Sequence, residues 1–386
     1  MKQVLLLSIL LSANTAYGDD APRARDLGIP FDGTPGQLNA ITDVAGVTVG
    51  HVTLIEDLTD DKAVRTGVTA ILPRGERTAD ELAFAGWFSL NGNGEMTGTT
   101  WLDESGFLEG PVMITNTHSV GAVHEGVIRW RVAKGTADHT EYFWSLPVVA
   151  ETWDGTLNDI NGFHVRPEHA MAALDRAAPG PVAEGSVGGG TGMVCYQFKC
   201  GIGTSSRVTD VNGDSYTVGV LVQANFGHWQ LLRVAGVPVG HYLKPDDESS
   251  PVFDASLSSI IIVVATDAPL LPHQLDRLAK RAALGLARNG SIATNGSGDI
   301  FIAFSTANAE AGRGAADANI SMLPNDSINP LFQATVEATE EAIINALVAG
   351  RDMQGDNGSL VRGIDLERLA DVLRRHNRLV EPSDTP

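Results

Sequence analysis

One stretch of this chain points most clearly to its fold: Ser258-Ser259-Ile260-Ile261-Ile262-Val263-Val264-Ala265-Thr266-Asp267-Ala268-Pro269. Its centre, Ile260 to Ala265, is apolar at every position, a pattern typical of a strand that is covered on both faces. Such a strand needs a helix or a second sheet on each side, so the stretch indicates a protein built from packed layers.

Other parts of the chain alternate between strand and helix patterns. Apolar runs of strand length recur at Val112 to Thr115, Tyr216 to Val222 and Ile300 to Phe304. Apolar residues at three- and four-residue steps predict helices from Pro272 to Arg288 and from about Leu331 to Ala349, each followed by glycine. The mixture favours an α/β or α+β architecture.

The second predicted helix separates apolar from acidic residues. One side carries the apolar residues Phe332, Val336, Ile343 and Leu347. The other side carries the acidic residues Glu337, Glu340 and Glu341. In an amphipathic helix the charged side faces away from the core. We therefore expect the three glutamates to lie on the outer side.

Charge and hydropathy limit the partners and the location. A formal net charge of −20 over 386 residues argues against nucleic acid and anionic membrane partners, because both need a basic footprint. Residues 1–18 combine Lys2, a short apolar run and small residues before a cut, which predicts an export signal and a periplasmic or secreted protein. No later stretch reaches the roughly 20 apolar residues of a membrane span.

The motifs predict neither a metal nor a cofactor. The glycine-dense segment Gly185 to Gly192 lacks the Gly-Lys-Ser/Thr ending of a phosphate loop, and it favours a tight turn with close backbone approach. The histidine spacings do not match the four-residue step of a zinc-binding helix. Cys195 and Cys200 are too few for a disulfide framework, and both a disulfide and two buried thiols stay open.

Polar residues at strand ends are the candidates for chemistry. Ser259 opens the central strand, although no Gly-x-Ser-x-Gly elbow surrounds it. Ser297 and Asp299 lead into the next apolar strand, where side chains two residues apart share one side. Asn225 closes an earlier strand, and its amide could donate to a developing oxyanion. The plain alternative for each of them is a turn residue.

Ten motifs occur in order through nearly the whole chain after residue 18. They are Pro22-Arg-Ala-Arg-Asp-Leu-Gly28, Gly33-Thr-Pro-Gly36, Asn39-Ala-Ile-Thr-Asp-Val-Ala-Gly46, Pro147-Val-Val-Ala-Glu-Thr152, Pro181-Val-Ala-Glu-Gly185, Gly188-Gly-Gly-Thr-Gly-Met193, Gly201-Ile-Gly-Thr-Ser-Ser-Arg207, Leu221-Val-Gln-Ala-Asn225, Ala265-Thr-Asp-Ala-Pro269 and Ala338-Thr-Glu-Glu-Ala342. Together they resemble the self-processing aminopeptidases, a family that includes L-aminopeptidase/D-Ala-esterase/amidase and the β-peptidyl aminopeptidases.

The resemblance implies a chain that cuts itself between Ser258 and Ser259. A large chain, 19–258, and a small chain, 259–386, would then form one domain with an αββα layered sandwich. A homo-oligomer, commonly a tetramer, is also implied. Ser259 would be the nucleophile at the new N-terminus.

The resemblance also gives roles to the other candidates. Ser297 and Asp299 match the supporting serine and carboxylate, and Asn225 matches the oxyanion amide. Glu151 matches a glutamate that holds the free amine of the substrate. The implied substrates are short peptides, amides or esters with a free N-terminus.

Two positions depart from the family pattern, and several alternatives stay open. Ser258 stands where relatives carry Gly or Asn, and Asp299 stands where some β-peptidyl members carry Glu. The choice among L-α, D-α and β-amino substrates and the identity of the general base are open. The competing functions are an acyltransferase of the ornithine-acetyltransferase type, which would use a threonine nucleophile, and a non-catalytic exported binding protein.

Overall fold

The computed structural model describes residues 22–59, 61–79, 81–135, 144–245, 258–312 and 317–380. The predicted export signal, residues 1–18, lies outside the described residues, as do residues 246–257 before the expected cut. The α-helices of the described part are α1 (Thr99–Ser105), α2 (Val120–Ala133), α3 (Pro167–Asp175), α4 (Pro272–Arg288), α5 (Asn329–Val348) and α6 (Leu366–Arg375).

The strands form two larger sheets and two short hairpins. They are β1 (Thr48–Asp57), β2 (Ala63–Leu72), β3 (Ala83–Gly92), β4 (Phe107–Leu108), β5 (Val112–Asn116), β6 (Val148–Thr152), β7 (Val194–Cys195), β8 (Phe198–Lys199), β9 (Ile202–Val211), β10 (Asp214–Asn225), β11 (Ser259–Thr266), β12 (Gly298–Ser305), β13 (Met353–Gln354) and β14 (Leu360–Val361). One sheet has the order β1-β2-β5-β6, and the other has the order β4-β3-β12-β11-β10-β9.

The two sheets pack face to face, and helices cover both outer sides. Ile114 of the first sheet and Ile261 of the second belong to the apolar cluster between the sheets. Helices α2 and α3 pack on the outer side of the first sheet, and α4 and α5 pack on the outer side of the second. Each buried Ile or Leu stabilises this arrangement by roughly 1.5–3 kcal/mol. The αββα layered sandwich predicted from the resemblance is confirmed.

The predicted elements are present, mostly with wider bounds. The four predicted strands correspond to β5, β10, β11 and β12, and helix α4 begins and ends at Pro272 and Arg288 as predicted. Every residue of β11 is buried, as expected for a strand covered on both faces. The strand begins at Ser259 and not at Ile260, so the candidate nucleophile is itself part of the sheet.

The expectation for the glutamates of α5 is wrong for two of the three. Glu337 and Glu341 are buried, and Glu341 forms ion pairs with Arg25 at 2.7 Å and with Arg207 at 2.7 Å. The helix packs on β9 and β10 with nearly its whole circumference buried, and these arginines supply the positive charges that a buried carboxylate requires. Glu340 alone of the three is not buried, and it pairs with the partly exposed Arg288.

The glycine-dense segment is a tight turn, as predicted. Gly188–Gly190 form a short 3-10 helix between the sheets. A Cβ on Gly189 would lie 2.2 Å from Gln223 Oε1 and 2.8 Å from the Ile114 carbonyl oxygen, so only glycine fits. Cys195 and Cys200 form a disulfide, which decides between the two open possibilities.

The described residues contain neither a membrane-spanning helix nor a cluster of metal ligands. No described helix combines the length and the apolar character that a membrane crossing needs. Within the same residues, no three His, Cys, Asp or Glu side chains gather closely enough to hold a metal ion.

Candidate active site

Ser259 begins a central strand of the larger sheet, between the end of β10 and the start of β12. It is the first residue of β11, directly opposite Asn225 of the antiparallel strand β10 and opposite Gly298 of the parallel strand β12. Ser259 is only 4% exposed. Because residues opposite each other on antiparallel strands present side chains on the same face, Ser259 and Asn225 are neighbours.

The peptide bond before Ser259 is held by hydrogen bonds at its carbonyl. The Ser259 hydroxyl donates to the Ser258 carbonyl oxygen at 2.6 Å. The Gly298 N–H donates to the same oxygen at 3.0 Å and to Ser259 Oγ at 3.2 Å. An N–H aimed at a carbonyl oxygen stabilises the negative charge that develops there during attack. The candidate nucleophile, the carbonyl group and an N–H that could stabilise its charge therefore meet at one bond.

Gly298 has to be glycine at this position. A Cβ there would lie 2.5 Å from the Asn93 carbonyl oxygen and 2.8 Å from Gly94 Cα, so a side chain would displace the loop after β3. The backbone N–H of Gly298 was not predicted from the sequence as a hydrogen-bond donor of the site. The signal was present in the run Ser297-Gly298-Asp299, where the glycine separates two candidate polar residues.

Asn225 presents an amide group with one end held and the other end unpaired. Its Oδ1 accepts a hydrogen bond from the Val194 N–H at 2.9 Å. Its Nδ2 is buried and makes no hydrogen bond with any described residue. Because the N–H of Val194 requires an acceptor, the oxygen must face it, and the NH₂ group is left as a donor. A buried donor without a partner is costly unless a ligand group satisfies it.

Ser297 and Asp299 form a hydrogen-bonded pair on either side of Gly298. Ser297 Oγ donates to Asp299 Oδ1 at 2.6 Å, and Asp299 Oδ2 makes no hydrogen bond with a described residue. Burial raises the pKa of Asp299 to about 6, although the Ser297 hydroxyl and the Ile260 N–H act to lower it. A carboxyl group with a pKa near neutrality can exchange a proton with neighbouring groups at physiological pH.

Glu151 comes from the other sheet, near the end of β6. Its Oε1 accepts the Glu95 N–H at 3.0 Å, and its Oε2 accepts the Thr117 hydroxyl. Burial raises the pKa of Glu151, an effect that these two hydrogen bonds oppose. A buried carboxylate in this setting gains most from a cationic partner.

One cavity joins Glu151 to Ser259. Its volume is about 230 Å³, and it is partly open to solvent. Its walls include Thr117, Glu151 and Trp153, at or just after the ends of β5 and β6, and Ser258, Ser259 and Gly296, at or just before the starts of β11 and β12. The structure thus brings the predicted amine-binding residue and the predicted nucleophile together, although 108 positions separate them in the chain.

The residue before the bond has a contact of its own. Ser258 Oγ and Thr294 Oγ1 lie 3.0 Å apart, and Ser258 is 2% exposed. Sequence reasoning also missed Thr117 and Trp153, because neither residue stands in a motif of recognisable chemistry. Only the packing of the two sheets places them at the cavity.

Comparisons with known proteins agree with this arrangement. The profile of peptidase family S58 matches residues 39–361. The chain is 53% identical to the β-peptidyl aminopeptidase BapA of Sphingosinicella microcystinivorans, over 96% of each chain. It is 49% identical to the L-aminopeptidase D-Ala-esterase/amidase of Ochrobactrum anthropi, with a TM-score of 0.86 over 93% of this chain and 100% of the other. A β-aminopeptidase from a Burkholderia species is 50% identical, with a TM-score of 0.84 over 92% of this chain and 99% of the other.

Fold and site together define a serine aminopeptidase of the N-terminal-nucleophile (Ntn) hydrolase type. The chain belongs to peptidase family S58. The comparisons give no support to the acyltransferase or to the non-catalytic binding protein.

Proposed function

We propose that the chain cuts itself between Ser258 and Ser259 and then releases N-terminal residues from short peptides, amides and esters. The observation that carries the proposal is the cavity in which Ser259 and Glu151 face the same space. A carboxylate at a fixed distance from a nucleophile selects a substrate whose free amine lies close to the bond that is cleaved.

The self-cleavage uses groups already in contact. The Ser259 hydroxyl attacks the carbonyl carbon of Ser258, and the Gly298 N–H stabilises the charge on the carbonyl oxygen. The C–N bond breaks, the α-amine of Ser259 takes the proton, and an ester joins Ser258 to Ser259 Oγ. Water then hydrolyses this ester, which leaves chains 19–258 and 259–386.

Turnover repeats the attack on a substrate carbonyl. Ser259 Oγ forms an acyl-enzyme, the leaving amine takes a proton, and water releases the acyl group. The oxyanion would be held by Asn225 Nδ2. The new α-amine of Ser259, with a reference pKa of about 7.7–8.0, can serve as general base. Ser297 and Asp299, which are hydrogen-bonded to each other, can share or take over that proton transfer.

Glu151 gives the specificity for a free N-terminus. A substrate ammonium group satisfies its buried carboxylate, whereas an acylated N-terminus leaves it unpaired. We take β-amino N-termini as the leading substrate class, since the β-peptidyl aminopeptidase BapA is 53% identical along nearly the whole chain. L- or D-alanyl substrates are the second candidate, supported by the 49% identity to the L-aminopeptidase D-Ala-esterase/amidase.

Location and assembly complete the proposal. Residues 1–18 act as an export signal, and the protein works in the periplasm or outside the cell. The Cys195–Cys200 disulfide supports this location, because disulfides persist in oxidising compartments. The homo-oligomer, a tetramer, rests on the family resemblance.

Two measurements test the proposal. A denaturing gel with N-terminal sequencing should show a smaller chain that begins Ser259-Ile260-Ile261. Hydrolysis of the p-nitroanilides of β-homoalanine, L-Ala and D-Ala should then rank the substrate classes. A chain that stays whole on incubation and hydrolyses none of the three would contradict the proposed function.

A further inference from the structure

The oxyanion amide is oriented by one hydrogen bond from a short hairpin. Asn225 Oδ1 has the Val194 N–H as its partner, at 2.9 Å, and Val194 is the first residue of β7. Strands β7 and β8 pair as Val194 with Lys199 and Cys195 with Phe198. The position of this hairpin therefore decides where the free NH₂ of Asn225 points. This reasoning rests on the proposed function of Asn225.

The turn of the hairpin is disfavoured by its own residues. Tyr196 and Gln197 have φ values of 52° and 65°. A two-residue hairpin with left-handed backbone at both turn positions prefers Asn-Gly or Gly-Gly, because a side chain is crowded in that conformation. Other contacts must hold the turn closed.

Several contacts hold the hairpin, among them the Cys200 N–H, which donates to the Met193 carbonyl oxygen at 3.2 Å, and two further contacts across its ends. The Cys195–Cys200 disulfide spans the turn. The ammonium group of Lys199 donates to the carbonyl oxygens of Met193, at 2.8 Å, and Cys200, at 2.6 Å, which flank the hairpin. Lys199 is fully buried and forms no ion pair with a described carboxylate. Burial accordingly lowers its pKa to about 7.

We propose that the Cys195–Cys200 disulfide and Lys199 are positioning residues for the oxyanion amide of Asn225. They keep the Val194 N–H in place, so that the Asn225 NH₂ points at the reacting carbonyl. No residue from 194 to 200 lines the cavity between Glu151 and Ser259. Loosening the hairpin therefore lowers kcat and leaves KM unchanged, since binding of the substrate amine is not touched.

The test removes the disulfide and then repairs the turn by another route. In Cys195→Ala/Cys200→Ala, kcat per processed chain should fall about tenfold with KM within about twofold, since complete loss of an oxyanion donor typically costs about 10²–10³ in kcat. Affinity for a peptide aldehyde, which forms a tetrahedral adduct with Ser259, should fall with kcat, and affinity for the matching alcohol should not. Adding Gln197→Gly, which suits the left-handed turn, should restore most of kcat.

A control separates positioning from general loss of stability. Glu341→Gln weakens a buried ion-pair network in α5 and should leave kcat unchanged at a temperature where the variant is folded. If the Cys-free chain does not fold, wild-type enzyme is reduced with a dithiol at a denaturant concentration that opens the buried disulfide to the reagent, and it is assayed after the denaturant is removed. The dithiol passes two electrons and two protons to the disulfide and becomes a disulfide itself, and kcat should fall with the fraction of freed thiols.

Three results would overturn the inference: a folded Cys-free or fully reduced enzyme with kcat within about twofold of wild type, a loss that Gln197→Gly does not repair, or an equal loss in Glu341→Gln. If the wild-type enzyme itself shows no turnover, the proposed function is wrong, and this inference, which rests on it, is wrong with it.

Discussion

Glu151→Gln tests the proposed specificity directly, because the substitution changes charge with almost no change of shape. The Glu95 N–H can keep its acceptor, and the Thr117 hydroxyl can turn to accept from the new amide. Burial raises the pKa of Glu151, so its ionised form is disfavoured in the folded protein. The thermal midpoint should therefore stay the same or rise, and any lost activity is not lost folding.

The expected loss follows from one charge-assisted hydrogen bond to the substrate ammonium. Such a bond contributes about 1.5–3 kcal/mol, and each 1.4 kcal/mol corresponds to about tenfold. For β-alanyl p-nitroanilide, kcat/KM should thus fall roughly 10- to 150-fold. For propionyl p-nitroanilide, which lacks the amine, kcat/KM should not fall. The preference of the wild-type enzyme for the amine-bearing substrate should largely disappear.

A matched carboxylate in the same cavity serves as control. Glu95 lines the cavity but is exposed, and it contacts Glu151 through its backbone N–H. Because water screens exposed charges, Glu95→Gln should lower kcat/KM by no more than about threefold. If Glu151→Gln keeps the wild-type preference for the free amine, or if Glu95→Gln loses as much, Glu151 does not bind the amine.

Further predictions concern the cut, the proton transfer and the fold. Ser259→Ala should leave a single uncut chain on a denaturing gel, whereas Ser258→Gly should still be cut at the same bond; cleavage of the first variant there would refute Ser259 as nucleophile. Asp299→Asn should lower kcat by roughly 10²–10⁴-fold, the range of general acid–base catalysis. Burial raises the pKa of Asp299 to about 6, so the wild-type kcat should fall as pH drops through 6, where the carboxylate takes up a proton, and a flat profile between pH 5 and 7 would contradict its role. Glu341→Gln should lower the free energy of unfolding, measured in urea, by about 3–5 kcal/mol, since buried Arg207 loses its closest carboxylate, at 2.7 Å, and keeps only Glu337 at 3.9 Å. Glu340→Gln is the control, because Glu340 pairs with the partly exposed Arg288, and it should lower the free energy of unfolding by less than about 1 kcal/mol. Equal losses in the two variants would show that burial of the ion pair does not matter.

Local pattern was enough to predict much of the fold. The unbroken apolar run of β11 is explained by sheets and helices that exclude water from both of its faces. Helix α4 was found to the residue because Pro272 at its start and Asn289-Gly290 at its end are strong signals. Helix α5 shows the limit. Its glutamates have the spacing of a solvent-facing side, but Glu341 is buried because Arg25 and Arg207, from distant parts of the chain, form ion pairs with it.

The site divides in the same way. Ser259, Ser297, Asp299, Asn225 and Glu151 could be named from motifs. All but Glu151 lie at or next to the end or start of a predicted strand, whereas strand β6, which carries Glu151, was not predicted. Their relations to one another could not be predicted from motifs. Ser259 lies opposite both Asn225 and Gly298 because of the register of the sheet. This register is set by contacts between strands that are far apart in the sequence.

The sequence alone was therefore enough to name the buried strand, the serine at its start, the family resemblance and the residue types of the site. Only the tertiary structure decided that Glu151 shares a cavity with that serine, that Cys195 pairs with Cys200, and that the Val194 N–H orients the Asn225 amide. The physical reason is one of range. Strand and helix patterns arise from neighbours along the chain, whereas a cavity, an ion pair or an oriented amide exists only where two sheets and their connections meet.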